Sequence, residues 1–93
     1  MCSKTIQEFF SGLPKLNSTS EDNDPIAKRK LISPVLDWEW YLIEGEEEEE
    51  CFFGYVKGYF DEFGSITVRD LEEVQAYEDK SFEECPISII INT

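Results

Sequence analysis

Histidine is absent from the 93 residues. That removes the usual base for Ser–His and Cys–His nucleophilic catalysis and the commonest nitrogen ligand for zinc. Cysteine is scarce and odd in number: Cys2, Cys51 and Cys85 have no C-x-x-C spacing, so neither a disulfide framework nor a zinc site is expected. The five glycines are scattered along the chain, so no glycine-rich loop exists to cradle a phosphate. No apolar run is long enough for a signal peptide or a membrane span. The expectation is a cytoplasmic protein with reduced thiols, no cofactor, no resident metal and no enzymatic activity.

Positive charge is the other shortage: 8 basic residues stand against 21 acidic ones, for a net charge of −13. The imbalance is uneven. Residues 1–34 carry five basic and four acidic side chains, and the remainder carries three basic and 17 acidic ones. A field of that sign repels nucleic acid and anionic membranes and attracts basic protein surfaces. The basic triplet Lys28-Arg29-Lys30 is too small to reverse this and is expected to pair with an acidic face of the same chain. A D-x-D start at Asp22 invites a calcium-loop reading. It fails, because position 6 would be Ala27 rather than glycine and position 12 would be Ser33 rather than glutamate.

What the chain does have is apolar and aromatic pattern, with 41% hydrophobic and 14% aromatic residues, enough for one small folded domain. Ile6, Phe9, Phe10 and Leu13 recur at helical spacing, which predicts a short helix from Lys4 to Ser11, capped by Ser3 and stopped by Gly12. Residues 13–35 read as a loop or arm, with a strand or extended segment over 26–32 broken by Ser33-Pro34.

The centre of the chain, residues 37–60 (DWEWYLIEGEEEEECFFGYVKGYF), reads as a β-hairpin. Trp38, Trp40 and Leu42 alternate with Glu39, Tyr41 and Ile43; Phe52, Gly54, Val56, Gly58 and Phe60 alternate with Phe53, Tyr55, Lys57 and Tyr59. Neither face is plainly polar, so the pair is expected near the middle of a sheet with cover on both sides. A turn at residues 61–64, a third strand at 65–68, a helical turn capped by Asp70 and an apolar closing segment at 86–91, either an edge strand or a packed tail, complete the reading. The fold class expected is α+β, a short N-terminal helix packed on an antiparallel sheet of three or four strands. The division is 1–12 helix, 13–35 arm, 36–68 β-meander and 69–93 helical turn with closing segment.

Several residues in this order resemble a known family: Leu13-Pro14 and Leu16; Trp38, Trp40 and Tyr41 as W-x-W-Y; residues 52–58 as F-F-G-x-V-x-G; Phe63-Gly64; and Leu71-Glu72-Glu73-Val74. In this spacing the chain resembles the small bacterial domain-of-unknown-function family DUF2958, over about residues 13–83. The resemblance implies an α+β fold and a setting on plasmids and other mobile elements; it supplies no activity and no catalytic residues. The chain departs from the family's usual pattern in a shorter segment before W-x-W-Y and a more acidic run at 46–50.

The Trp38/Trp40 pair is read as core rather than as a stacking platform for single strands, because such platforms sit in positive grooves. The candidate partner-binding residues are instead acidic and tyrosyl: Glu46, Glu47, Glu48, Glu49, Glu50, Asp61, Glu62, Asp70, Glu72, Glu73, Glu78 and Asp79, with Tyr41, Tyr55 and Tyr59 as anchors. Same-face residues on a strand repeat every ~6.6–6.8 Å, about twice the ~3.4 Å phosphate spacing along one DNA strand. Carboxylates around such a sheet would imitate phosphates. The expected function is a mobile-element protein that binds the basic surface of a nucleic-acid-binding nuclease and blocks it, as an anti-CRISPR or anti-restriction factor would. The alternative is a structural or regulatory interaction domain that self-associates through residues 86–91.

Overall fold

The computed structural model describes residues 6–92. The expected cap Ser3, the helix start at Lys4 and Cys2 lie outside them. Strands dominate, so the expected helix-on-small-sheet arrangement is corrected: the chain builds a five-stranded antiparallel sheet and a separate two-stranded one, with only short helices. In chain order the elements are β1 (Ile26–Ala27), β2 (Arg29–Ile32), β3 (Glu39–Glu46), a 3-10 turn (Glu47–Glu49), β4 (Cys51–Lys57), β5 (Asp61–Thr67), α1 (Val68–Glu73), β6 (Tyr77–Glu78), β7 (Cys85–Pro86) and α2 (Ile87–Ile91). The large sheet runs β5-β4-β3-β2-β6, and β1 pairs with β7. Among the described residues no helix is long and apolar enough to cross a membrane.

The aromatic hairpin β3–β4 occupies the middle of the large sheet, and its period of two feeds two cores. On one face Trp40, Leu42 and Phe52 meet Leu31, Ile66, Val68, Leu71 and Ala76. The N-terminal segment closes this face. It is helical at residues 6–8 and then turns, with Gly12 at φ 82. Ile6, Phe9 and Phe10 are buried there, and the Phe10 ring stacks on Phe52 at 4.1 Å between centroids. On the other face Tyr41, Ile43 and Tyr55 meet Ala27, Ile87 and Ile90. Each such side chain taken fully out of water contributes roughly 1.5–3 kcal/mol. Two half-cores sharing one sheet therefore hold together a chain whose helices are too short to persist alone.

Two local expectations are corrected and a third is narrowed. Residues 61–64 are not a turn but the start of β5, with Gly64 opposite Gly54; the chain reverses at residues 58–60 instead. Gly58 suits that reversal because the Trp38 ring lies against it: a Cβ there would fall 2.8 Å from the indole. The cap of α1 is Thr67, whose hydroxyl accepts the Asp70 N–H at 3.0 Å, so Asp70 sits in the first turn rather than before it. The closing segment is a packed tail, the second of its two expected forms, and not an edge strand. Only Cys85–Pro86 pairs, and residues 87–91 are helical, with Ile87 and Ile90 turned inward. Burial at helical spacing there outweighs the β-propensity of four isoleucines in five residues.

Candidate partner-binding surface

The connection between β3 and β4 projects the glutamates from the sheet's end. Glu47, Glu48 and Glu49 form the 3-10 turn, and Glu50 closes it in the left-handed region at φ 51, donating its N–H to the Glu47 carbonyl at 3.0 Å. The Glu50 carbonyl in turn accepts the Val68 N–H at 3.0 Å, which seats the start of α1 beside the acidic turn. Residues 47–50 and Asp70 are exposed, Glu46 and Glu72 are half-buried, and among the described residues no ion pair reaches any of these seven. Glu73 lies 3.6 Å from Arg69 in an exposed pair one helical turn apart.

Asp61 and Glu62 are exposed but lie at the far end of β5, six residues from Thr67. At about 3.4 Å per residue that is roughly 20 Å from the acidic turn. The carboxylates thus fall at two ends of the sheet and do not form a regular ladder along one strand. Glu78 and Asp79 are spent inside the molecule. The Arg29 guanidinium donates to Glu78 at 2.8 Å and to the Phe9 and Ser11 carbonyls, fixing the N-terminal segment over the sheet. Lys30 lies between Asp79 at 3.7 Å and Glu39 at 3.6 Å, and Lys28 reaches Glu84 at 3.3 Å. The Ser81 hydroxyl and N–H, then Lys30, hold the Asp79 carboxyl below its ordinary pKa. The basic triplet therefore pairs with acids of its own chain.

Two of the three tyrosines are not surface anchors. Tyr41 and Tyr55 are buried on the inner face beneath α2, because that face is covered by the C-terminal tail. The Tyr41 hydroxyl donates to Glu39 at 2.5 Å, and burial followed by this carboxylate pushes its pKa well above the phenol value. Tyr59 does present its ring: it is 87% exposed and meets Trp38 edge-on at 5.5 Å, and Phe60 beside it is 79% exposed. Alternation aligns Phe60 with the inward residues of the second strand, whereas it sits on the chain reversal and faces solvent.

The residue pattern also gave no hint of Glu44. It is 3% exposed, and its carboxylate accepts the Asn17 N–H at 2.7 Å, the Thr19 N–H at 2.8 Å and the Thr19 hydroxyl. Asp24 makes a similar tie, accepting the Ser88 N–H at 2.9 Å and the Ser88 hydroxyl at 2.6 Å. Together they pin the 17–25 loop across one face and frame a groove against Phe53, Phe63 and α2. Among the described residues no group of three or more Cys, Asp or Glu side chains is placed to hold a metal ion. No family model, curated protein or solved structure matches this chain.

Proposed function

We propose that this chain is a small acidic protein-binding module that occupies the cationic nucleic-acid channel of a nuclease and so inhibits it, in the manner of an anti-CRISPR or anti-restriction factor. The observation that carries this reading is where the counter-charges go. Lys28, Arg29 and Lys30 all pair on or beside β2, while the glutamates at 46–50, Asp61, Glu62 and Asp70 have no cation among the described residues. The surplus thereby lies at the hairpin end and at the far end of β5, where a basic surface would supply the missing charge. Tyr59 and Phe60, beside Asp61, add exposed aromatic anchors of the kind that dominate interface energetics. The W-x-W-Y and F-F-G-x-V-x-G pattern, as a resemblance to DUF2958, adds a mobile-element setting in a bacterial cytoplasm, where blocking a host nuclease is useful. Binding would need neither cofactor nor catalytic group.

The test is capture of a nuclease from a bacterial host lysate on the immobilised chain, followed by salt elution and a DNA-cleavage assay. Retention that falls steeply between 50 and 500 mM NaCl, with cleavage inhibited at low salt, supports the reading; these concentrations span Debye lengths from about 14 to 4 Å. Replacing all five glutamates at 46–50 by glutamine should weaken inhibition by tenfold or more while leaving the fold intact. Inhibition insensitive to salt and to that replacement would sink it. A second reading is a self-associating interaction domain; at residues 87–91 it would use a helical face bearing the exposed Ile89 and Ile91 rather than a strand edge. A further route is β5, an edge strand with a regular register. Sedimentation showing a concentration-dependent dimer would favour it.

A further inference from the structure

We propose that the groove between the 17–25 loop, the β4–β5 edge and α2 receives an arginine side chain of the partner protein. This rests on the reading of a cationic partner and names how one of its side chains is held. The groove has a volume of about 450 Å³. Its floor is apolar: Phe53 and Phe63 lie 9° from parallel with centroids 6.0 Å apart, and Ile87 closes one side. Three carboxylates border it, those of Asp22, Asp24 and Glu44, and among the described residues no lysine or arginine lines it.

Those two halves restrict the occupant. A wholly apolar ligand would strip water from the carboxylates without replacing it, and an anion would be repelled. A cation with an apolar stem satisfies both. Two of the carboxylates are already fixed, Glu44 by the Asn17 and Thr19 donors and Asp24 by Ser88, so their field needs little reordering when a cation arrives. Asp22 lies on the exposed loop, has no ion pair among the described residues and is placed to meet it. Phe63 is 44% exposed, so a ring face is reachable from solvent. Arginine fits better than lysine. Its guanidinium is planar and weakly hydrated, stacks on aromatic faces and meets carboxylates with a fork of donors, whereas an ammonium is a compact, strongly hydrated point charge. Nucleic-acid channels carry such arginines to hold phosphates.

The experiment is a titration of the isotopically labelled full chain with acetyl-Gly-Arg-Gly-amide, followed residue by residue by NMR, with the lysine and citrulline tripeptides alongside. The expected result is shifts centred on residues 19–24, Phe53, Phe63 and Ser88. Arginine should bind about three- to fivefold more tightly than lysine, and citrulline should cause no shifts there. Asp22→Asn, on an exposed loop, and Phe63→Leu, which keeps the apolar volume, should each weaken arginine binding about threefold or more. Equal shifts from arginine and lysine, or binding unchanged in both variants, overturn the proposal. Shifts confined to residues 46–50, 61 and 62 overturn the groove but leave the acidic surface as the binding feature. Arginine bound in the groove by a chain that captures no nuclease upholds the groove and removes the nuclease.

Discussion

Glu44 organises more of the molecule than any of the acids that the charge pattern singles out. Leu42 pairs with Gly54 and Glu44 with Phe53, so Ile43 is an extra residue in a β-bulge. The bulge sends Ile43 and Glu44 to the same face, where Asn17 and Thr19 wait as donors. Strict alternation would instead turn Glu44 toward Phe10 and Phe52. Gly54 is required opposite, since a Cβ there would fall 2.0 Å from the Tyr41 carbonyl oxygen. None of this is visible locally, because the donors lie 25 and 27 residues earlier in the chain. Glu44→Ala should cost about 2 kcal/mol, the usual scale for orphaning such donors. It should also expose the Asn17 and Thr19 amides to hydrogen exchange, while Glu48→Ala, at an exposed position, should change stability by less than about 0.5 kcal/mol. Equal losses in urea unfolding of the two variants would show that Glu44 acts only through its charge.

At the scale of elements, legibility followed periodicity. The hairpin over residues 37–60 is readable because aromatic and branched side chains alternate along both its strands, and the two-sided apolar pattern places it in the sheet's interior. The extended segment expected over residues 26–32 is present as β1 and β2, but β6 is not readable, since two residues hold too little pattern; it exists because Leu31, opposite Trp40 on one side, lies opposite Glu78 on the other. Of the two forms expected for the tail, edge strand or packed segment, the structure has the packed one, and its helical form is not legible. Its isoleucines favour strand locally, but only Ile87 and Ile90, three apart, reach the core, and a helix alone brings both inward. The candidate surface was legible as charge and not as geometry: no pattern distinguishes Glu78, spent on Arg29, from Glu48, which is not. The helical tail makes a sharp prediction. Ile90→Ala should destabilise the domain by about 2–4 kcal/mol through the cavity it leaves, with Tyr41 and Tyr55 losing cover and their fluorescence shifting. If Ile90 were instead an oligomer contact, the loss would appear as dissociation at constant monomer stability.

For the whole molecule, one field acts on two processes with opposite sign. The Cα radius of gyration is 12.1 Å and the net charge −13, so at low ionic strength, where the Debye length is about 30 Å, every surplus carboxylate repels every other across the full width of the fold. Raising salt relieves that repulsion. It also weakens the internal pairs, but most of these are partly exposed, at 3.3–3.7 Å, and each contributes no more than about 1 kcal/mol. Their contacts are short compared with the screening length, so they lose less than the long-range repulsion does. The unfolding temperature should therefore rise between 10 and 500 mM NaCl, by about 5 °C for each kcal/mol of repulsion removed in a domain of this size. Converting the five glutamates at 46–50 to glutamine should raise the low-salt value and flatten the slope, since it removes like charges from the most crowded turn. Over the same range, binding to a cationic partner should weaken. Scanning calorimetry beside a binding isotherm distinguishes the two. A melting temperature that falls with salt would mean that the pairs along β2, rather than the surplus at the hairpin end, set the electrostatic balance of the fold.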